Sequence, residues 1–91
     1  MTNYAYVPLE HIVATQLDDG EGVLVDLNTK QYYQLNETAM LIWRALESGH
    51  PMDQIVTEMM TVYRVDNAHA VASAGRLLKQ FQEHKLVRSA D

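Results

Sequence analysis

The stretch that decides the fold is residues 23–46, VLVDLNTKQYYQLNETAMLIWRAL. It starts with two short runs rich in β-branched and aromatic residues, which favour strands, and the polar turn 28–30 joins them. Asn36 is a good helix N-cap, and the apolar residues after it recur at helical spacing: Ala39, Ile42, Trp43 and Leu46. The stretch therefore predicts a β-hairpin that passes directly into a helix.

The residues before this stretch predict one more strand. Residues 11–17 are rich in β-branched side chains, and the sequence DDGEG at 18–22 is a strong turn signal. Because the connections are short, the strands 11–17, 23–27 and 31–35 should form an antiparallel meander. The third strand comes last, so we expect one of its edges to be unpaired.

The second strand has two different faces. Val23, Val25 and Leu27 alternate with Leu24 and Asp26, and successive side chains of a strand point to opposite sides. We expect the sheet to pack its Val/Leu/Tyr face on the helices.

Two further helices are predicted after the first one, which ends at the SGHP sequence of residues 48–51. The second helix has the apolar stripe Met52, Ile55, Val56, Met59 and Tyr63. Asp66 or Asn67 caps the third helix, which should reach about His84. Its expected stripe is Val71, Ala74, Leu78 and Phe81. Residues 86–87 close the domain, and residues 89–91 should be a loose tail.

Three strands followed by three helices give an α+β fold of winged helix-turn-helix type. A chain of 91 residues has room for one domain, so we expect a single domain over residues 1–91 with its core over about 11–88. No apolar run is long enough to cross a membrane and no signal peptide is recognisable. We therefore expect a cytoplasmic protein with no membrane partner.

The sequence carries no recognisable catalytic or metal-binding motif. It has no cysteine, which excludes disulfides, thiol nucleophiles and thiolate metal sites. None of the four histidines (His11, His50, His69 and His84) stands three or four residues from another. We expect no catalytic residue, no metal and no cofactor.

The net charge of −5 is unevenly distributed. Residues 1–63 hold nine acidic and two basic residues, a net −7, whereas residues 64–88 hold five basic and two acidic residues, a net +3. The acidic balance disfavours nucleic acid as a partner. The basic third helix nevertheless leaves a winged-helix nucleic-acid-binding regulator as an alternative, and pairing of two chains through the free strand edge as a third possibility.

Gly75 stands in the interior of the third helix, where glycine costs about 0.5–1 kcal/mol relative to alanine. A helix that is otherwise well built should carry this cost for a reason. Either a neighbouring element of the protein or the backbone of a ligand is expected to approach it closely.

The sequence resembles the PqqD family, small proteins that recognise the leader peptides of ribosomally made, post-translationally modified peptides. The resemblance rests on residues 23–27 and 32–36, followed by Thr38-Ala39, Ile42-Trp43 and Leu46, with Ile55-Val56, Tyr63, Leu77-Leu78, Phe81 and Leu86-Val87 in the later helices. The pattern is most similar to stand-alone leader-binding proteins of lasso-peptide pathways, although PQQ and other radical-SAM peptide pathways use similar proteins. Two positions depart from the family: Ser73, where members often have an acid, and Lys85, where they often have glycine.

The resemblance implies a non-catalytic adaptor. Its leader peptide would add as a strand to the third strand, in the groove beside the third helix. The expected partners are the precursor leader peptide and either a pathway protease and cyclase or a radical-SAM maturase. The expected peptide-binding residues are Tyr32, Tyr33, Gln34 and Leu35 of the third strand and Val71, Ala72, Gly75, Arg76, Leu78 and Lys79 of the third helix.

Overall fold

The structure, a computed structural model, describes residues 6–89. Its elements are β1 (Tyr6–Pro8), β2 (Ile12–Gln16), β3 (Gly22–Asp26), β4 (Tyr32–Leu35), α1 (Glu37–Glu47), α2 (Met52–Tyr63), α3 (Asn67–Glu83) and β5 (Val87–Ser89). Strands β2, β3 and β4 form an antiparallel sheet in that order, and three helices follow. The predicted α+β arrangement, a three-stranded sheet and then three helices, is confirmed.

A second, two-stranded sheet was not predicted from the sequence. Strand β1 pairs antiparallel with β5 and lies against α1. Ser89 is therefore part of a strand rather than of the expected loose tail, and the other two tail residues lie outside the described part of the chain. A strand of three residues is too short for its hydrophobic pattern to be recognised.

The face of the sheet that packs on the helices differs from the predicted one. Leu24 is fully buried, and Asp26 is 4% exposed, whereas Val23 and Val25 are only half-buried. Leu24 pairs across the sheet with Tyr33, so the inward face carries leucine and tyrosine but not the valines. The expectation was wrong because a buried carboxylate is unusual, and Asp26 made its face look like the outer one.

Asp26 can be buried because the turn after β3 satisfies its carboxylate. Its Oδ1 atom accepts hydrogen bonds from the backbone N–H groups of Asn28 (2.9 Å) and Thr29 (3.1 Å), and His11 Nε2 lies 3.8 Å away. The Thr29 N–H is the main cause that lowers the pKa of Asp26; the Asn28 N–H and His11 act in the same direction, while desolvation opposes them. The buried carboxylate thereby holds the β3–β4 turn.

We predict that Asp26→Asn removes part of the pH dependence of stability. The folded-state pKa of Asp26 lies below its ordinary value of 3.8, so the ionised carboxylate stabilises the fold fully above that value. This contribution disappears as the pH falls through the lower, folded-state pKa. Urea unfolding at pH 7 and pH 3 should show the wild type more stable than the variant at pH 7 and a smaller difference at pH 3. An equal difference at both pH values would contradict the role given to Asp26.

Helices α1 and α3 begin at predicted caps. Asn36 Oδ1 accepts a hydrogen bond from the Ala39 N–H (2.9 Å) at the start of α1. Asp66 Oδ1 accepts one from the His69 N–H (2.8 Å) at the start of α3. Such side-chain bonds satisfy backbone donors that have no partner within the helix. Because Asn36 directly follows Leu35, α1 starts where β4 ends.

The buried stripe of α3 differs by one residue from the predicted one. Val71 is 49% exposed, and the buried residues are Ala70, Ala74, Leu78 and Phe81. Ala70 and Val71 are both apolar, so the pattern alone did not distinguish them. Phe81 packs edge-to-face on the fully buried Trp43 of α1, with ring centroids 5.4 Å apart, and this contact holds α3 against α1.

A tight turn ends α3 and leads into β5. The N–H of Lys85 donates to the Gln82 carbonyl (3.0 Å) and the N–H of Leu86 to the Phe81 carbonyl (2.9 Å), which is the Schellman arrangement. Lys85 has φ 58°, in the left-handed region that glycine adopts most easily. The turn places the preceding residue, His84, at the end of α3.

Candidate functional site

One edge of β4 is unpaired within the described part of the chain, as the sequence predicted. The sheet order is β2-β3-β4, so β4 has a partner only on the β3 side. The N–H of Asp26 donates to the Gln31 carbonyl (2.9 Å), so Asp26 and Gln31 form a hydrogen-bonded pair of the β3–β4 ladder. In an antiparallel ladder such pairs alternate with pairs whose N–H and carbonyl groups point away from the partner strand. This single bond therefore determines which residues of β4 face the free edge.

The outward-facing residues of β4 are Tyr32 and Gln34. Hydrogen-bonded pairs recur at every second residue, and Tyr33 and Leu35 are two and four residues beyond Gln31. The N–H and carbonyl groups of Tyr33 and Leu35 therefore bond to β3. The N–H and carbonyl groups of Tyr32 and Gln34 point away from the sheet. Together they offer two donors and two acceptors to an incoming extended chain.

Helix α3 lies alongside this edge. At one end the rings of Tyr33 and His84 have centroids 5.0 Å apart, and at the other end Thr38 and Ser73 line the same cavity. Ser73 and His84 are eleven residues apart, so they lie within about 20° of each other around the helix. The surface between the free edge of β4 and this side of α3 is called the β4–α3 groove below; its α3 side carries Ser73, Leu77, Gln80 and His84.

A cavity of about 250 Å³ lies at the Ser73 end of the groove. Met59 and Val65 give it apolar sides, while Thr38, His69 and Ser73 add polar groups. The hydroxyl group of Tyr63, which also lines this cavity, is buried and makes no hydrogen bond within residues 6–89. The cavity suits a side chain with an apolar body and a polar end.

The four β4 residues expected to bind a peptide lie side by side, but they play different parts. Leu35 is buried in the core and Tyr33 is half-buried against it. Tyr32 is 73% exposed and Gln34 is also exposed, on the outer face of the sheet. Tyr33 and Leu35 therefore anchor the strand, whereas Tyr32 and Gln34 present their backbone to the free edge.

The six α3 residues expected to bind a peptide are spread around the helix. Leu78 is 4% exposed and belongs to the core. At 3.6 residues per turn, Arg76 lies about 60° from Ser73 and Ala72 about 100° from it. The other three point further from the groove, Lys79 by about 120° and Val71 and Gly75 by about 160°. Of these six residues Arg76 lies nearest in angle to Ser73, and a role of any of them in peptide binding remains a prediction.

Gly75 is not explained by close packing within the protein. A Cβ atom built on it would have no atom within 4 Å, and the residue is exposed. Of the two expected reasons for a glycine here, the approach of a neighbouring element is excluded for the described residues. The structure gives no other reason for it.

Four residues of the groove were not among those expected to bind a peptide: Ser73, Leu77, Gln80 and His84. Helical spacing relates all four, and the half-buried Leu77 is their apolar member. The residues expected on α3 were chosen around Gly75, which lies about 160° from Ser73, so this stripe was not among them.

Residues 21–87 match the PqqD family, described as coenzyme PQQ synthesis protein D. The chain belongs to the PqqD family. The match extends over both sides of the groove, from the start of β3 to the start of β5.

Two solved structures are similar to this PqqD-family protein. "TbiB1 in Complex with the TbiA(beta) Leader Peptide" is 26% identical, with a TM-score of 0.83, and the similarity covers 89% of this chain and 93% of that one. "Lasso peptide synthetase B1 complexed with the leader peptide" is 28% identical, with a TM-score of 0.81 and coverage of 90% and 95%. Comparison with curated proteins gives no significant match.

Elsewhere in the described residues the groups that could support chemistry are dispersed. Residues 6–89 contain no cluster of three or more histidine, aspartate or glutamate side chains that could hold a metal ion. His50 Nδ1 lies 2.8 Å from Glu58 Oε2, beside a cavity of about 400 Å³ between α1 and α2, and not in the groove. No helix in this part of the chain is long and apolar enough to cross a membrane.

We predict effects of very different size for two apolar residues of α3, one buried and one exposed. Leu78→Ala should lower the free energy of unfolding by about 2–5 kcal/mol, because it leaves a cavity in the core. Val71→Ala should change it by no more than about 0.5 kcal/mol, because Val71 is at the surface. Urea denaturation of both variants measures this. Equal losses would contradict the position of the buried stripe.

Proposed function

We propose that this PqqD-family protein is a non-catalytic adaptor that binds the leader of a ribosomally made precursor peptide. The observation that carries the proposal is an unpaired strand edge beside α3, in a fold whose similar structures, TbiB1 and lasso peptide synthetase B1, are complexes with leader peptides. The similarity to lasso peptide synthetase B1 favours lasso-peptide biosynthesis over a PQQ-type or other radical-SAM pathway.

The leader binds as an additional strand next to β4. Its backbone bonds to the N–H and carbonyl groups of Tyr32 and Gln34, which the register of the sheet directs outward. Alternate side chains of the leader then point to the inward side of the sheet, towards Tyr33, Leu77 and the cavity at Ser73. This is the strand-addition mode of peptide recognition.

Backbone pairing alone does not hold the leader. Four hydrogen bonds at a net value of about 1 kcal/mol each give about 4 kcal/mol, and association of two molecules costs at least about that much. Apolar leader side chains must supply the rest, at roughly 1.5–3 kcal/mol for each one fully buried. Leu77 and the cavity at Ser73 provide apolar surface for them.

The function of the adaptor is to bring precursor and enzymes together. A leader held on this protein raises the effective concentration of the attached core peptide at an enzyme that binds the adaptor. In a lasso-peptide pathway these enzymes are a protease and a cyclase; in a radical-SAM pathway the enzyme is a maturase. The nucleic-acid-binding and self-pairing alternatives remain predictions that no comparison tests.

We predict that Gln34→Pro weakens leader binding strongly while the fold is kept. Proline removes the N–H that faces the free edge, and proline is tolerated in an edge strand where that N–H has no partner. Gln34→Ala keeps the N–H and is the matched control. Fluorescence polarisation with the labelled leader of the precursor encoded beside this gene should show at least about tenfold weaker binding for the proline variant and less than about twofold for the alanine variant.

Thermal unfolding shows whether both variants are folded. Equal binding by folded Gln34→Pro and wild type would refute strand addition at β4. If the wild type shows no saturable binding of this leader at micromolar concentrations, the adaptor function itself fails. Tyr33→Pro and Leu35→Pro are unsuitable, because their N–H groups bond to β3 and the sheet itself would be damaged.

A further inference from the structure

We propose that Arg76 binds an aspartate or glutamate side chain of the leader at the Ser73 end of the β4–α3 groove. The inference rests on the proposed function and specifies the chemistry of the peptide. It distinguishes Arg76 from Lys79, which carries the same charge on the same helix.

The guanidinium group of Arg76 is directed to the groove. Its Nη2 atom lies 3.4 Å from Ser73 Oγ and donates a hydrogen bond to it, and Ser73 is one of the residues on the β4 side of α3. Among residues 6–89 no carboxylate forms an ion pair with Arg76. The remaining donors of its planar fork are therefore available to a ligand carboxylate, the geometry that arginine binds best.

The charges along α3 place the acidic leader residue at one end. Glu83 follows Arg76 by seven residues, so it lies within about 20° of Arg76 around the helix and about 10 Å further along it. Gln80 lies between them, and His69 lies beyond Ser73 at the other end. On this side of α3 Arg76 places a positive charge near Ser73 and Glu83 a negative charge near His84, so a leader carboxylate is favoured beside Arg76.

The acidic residues near the end of β4 do not occupy Arg76. The side chain of Glu37 lies beside Gly20 and lines the cavity between α1 and α2. Glu21 lies beside Gln34 and Asn36. Because Glu21 repels a carboxylate on its own side, the leader acid must be a residue whose side chain points to α3.

The helix also sets the position of this acid in the leader. Arg76 precedes His84 by eight residues, or about 12 Å along the axis, and an extended peptide advances about 3.3 Å per residue. The acid therefore lies about four residues from the leader residue that packs on Tyr33 and His84. An interval of four puts both side chains on the same side of the strand.

A displayed library of random twelve-residue peptides tests the inference without knowledge of the natural leader. Wild type, Arg76→Gln and Lys79→Gln serve as separate baits. Peptides selected by the wild type should be enriched in aspartate or glutamate at one position. Lys79→Gln should retain this enrichment, and Arg76→Gln should lose it. Both changes remove one positive charge from an exposed side chain of α3, so they are matched for net charge and expected stability.

A selected peptide is then synthesised with its acid and with the corresponding amide. The amide should bind the wild type about fivefold more weakly, the upper range for an exposed ion pair, and the two peptides should bind Arg76→Gln equally. Arg76→Lys keeps the positive charge but not the planar guanidinium fork. Its preference for the acidic peptide over the amide peptide should therefore lie between those of the wild type and Arg76→Gln.

The outcomes separate this inference from the proposed function. Tight binding of peptides with no preferred acid, or loss of the preference in Lys79→Gln as well, overturns the role of Arg76 and leaves the adaptor function intact. If the wild type selects no peptide and also fails to bind the leader encoded beside its gene, the proposed function fails, and the inference fails with it.

Discussion

The hydrogen bond from the Asp26 N–H to the Gln31 carbonyl determines which residue pairs of β3 and β4 are hydrogen-bonded. From it follows which residues of β4 bond to β3 and which face the free edge. The side chains of the β4 residues that bond to β3 point inward, so that Leu35 lies in the core and Tyr33 contacts His84. The turn that makes this bond is held by the buried carboxylate of Asp26, so a residue that looks misplaced in the core determines the geometry of the groove.

The groove is built from elements that the core already holds in place. Leu35 anchors β4, and the Trp43–Phe81 contact anchors α3. Helix α1 starts almost directly after β4, with only Asn36 between them, so the chain leaves the strand at once at that end. A preformed site reduces the ordering that binding requires of the protein, and the entropic cost then falls mainly on the flexible leader.

The sequence predicted those parts of the fold that depend on local chemistry. The turn 28–30, the caps Asn36 and Asp66 and the free edge of the last strand in the meander were all recognisable, because each follows from residues close in the chain. The β1–β5 pairing was not, since it joins short segments from the two ends of the described chain. The inward face of β3 was misassigned because the bonds that satisfy Asp26 are visible only in the folded turn.

The site was predictable in part. The β4 residues were found because the strand and its free edge could both be located. The α3 side was misplaced because Gly75 was expected to face a ligand backbone, whereas it lies about 160° around the helix from Ser73. Arg76 was found because of its charge, and only the folded helix shows that it lies nearer the groove than Lys79.

Amide hydrogen exchange of the protein with and without the leader encoded beside its gene tests the central claim most directly. Leader binding should slow exchange at Tyr32 and Gln34, whose N–H groups face the free edge. Exchange at Tyr33 and Leu35, whose N–H groups already bond to β3, should change much less. Saturable leader binding that leaves the Tyr32 and Gln34 amides unprotected would contradict strand addition at β4.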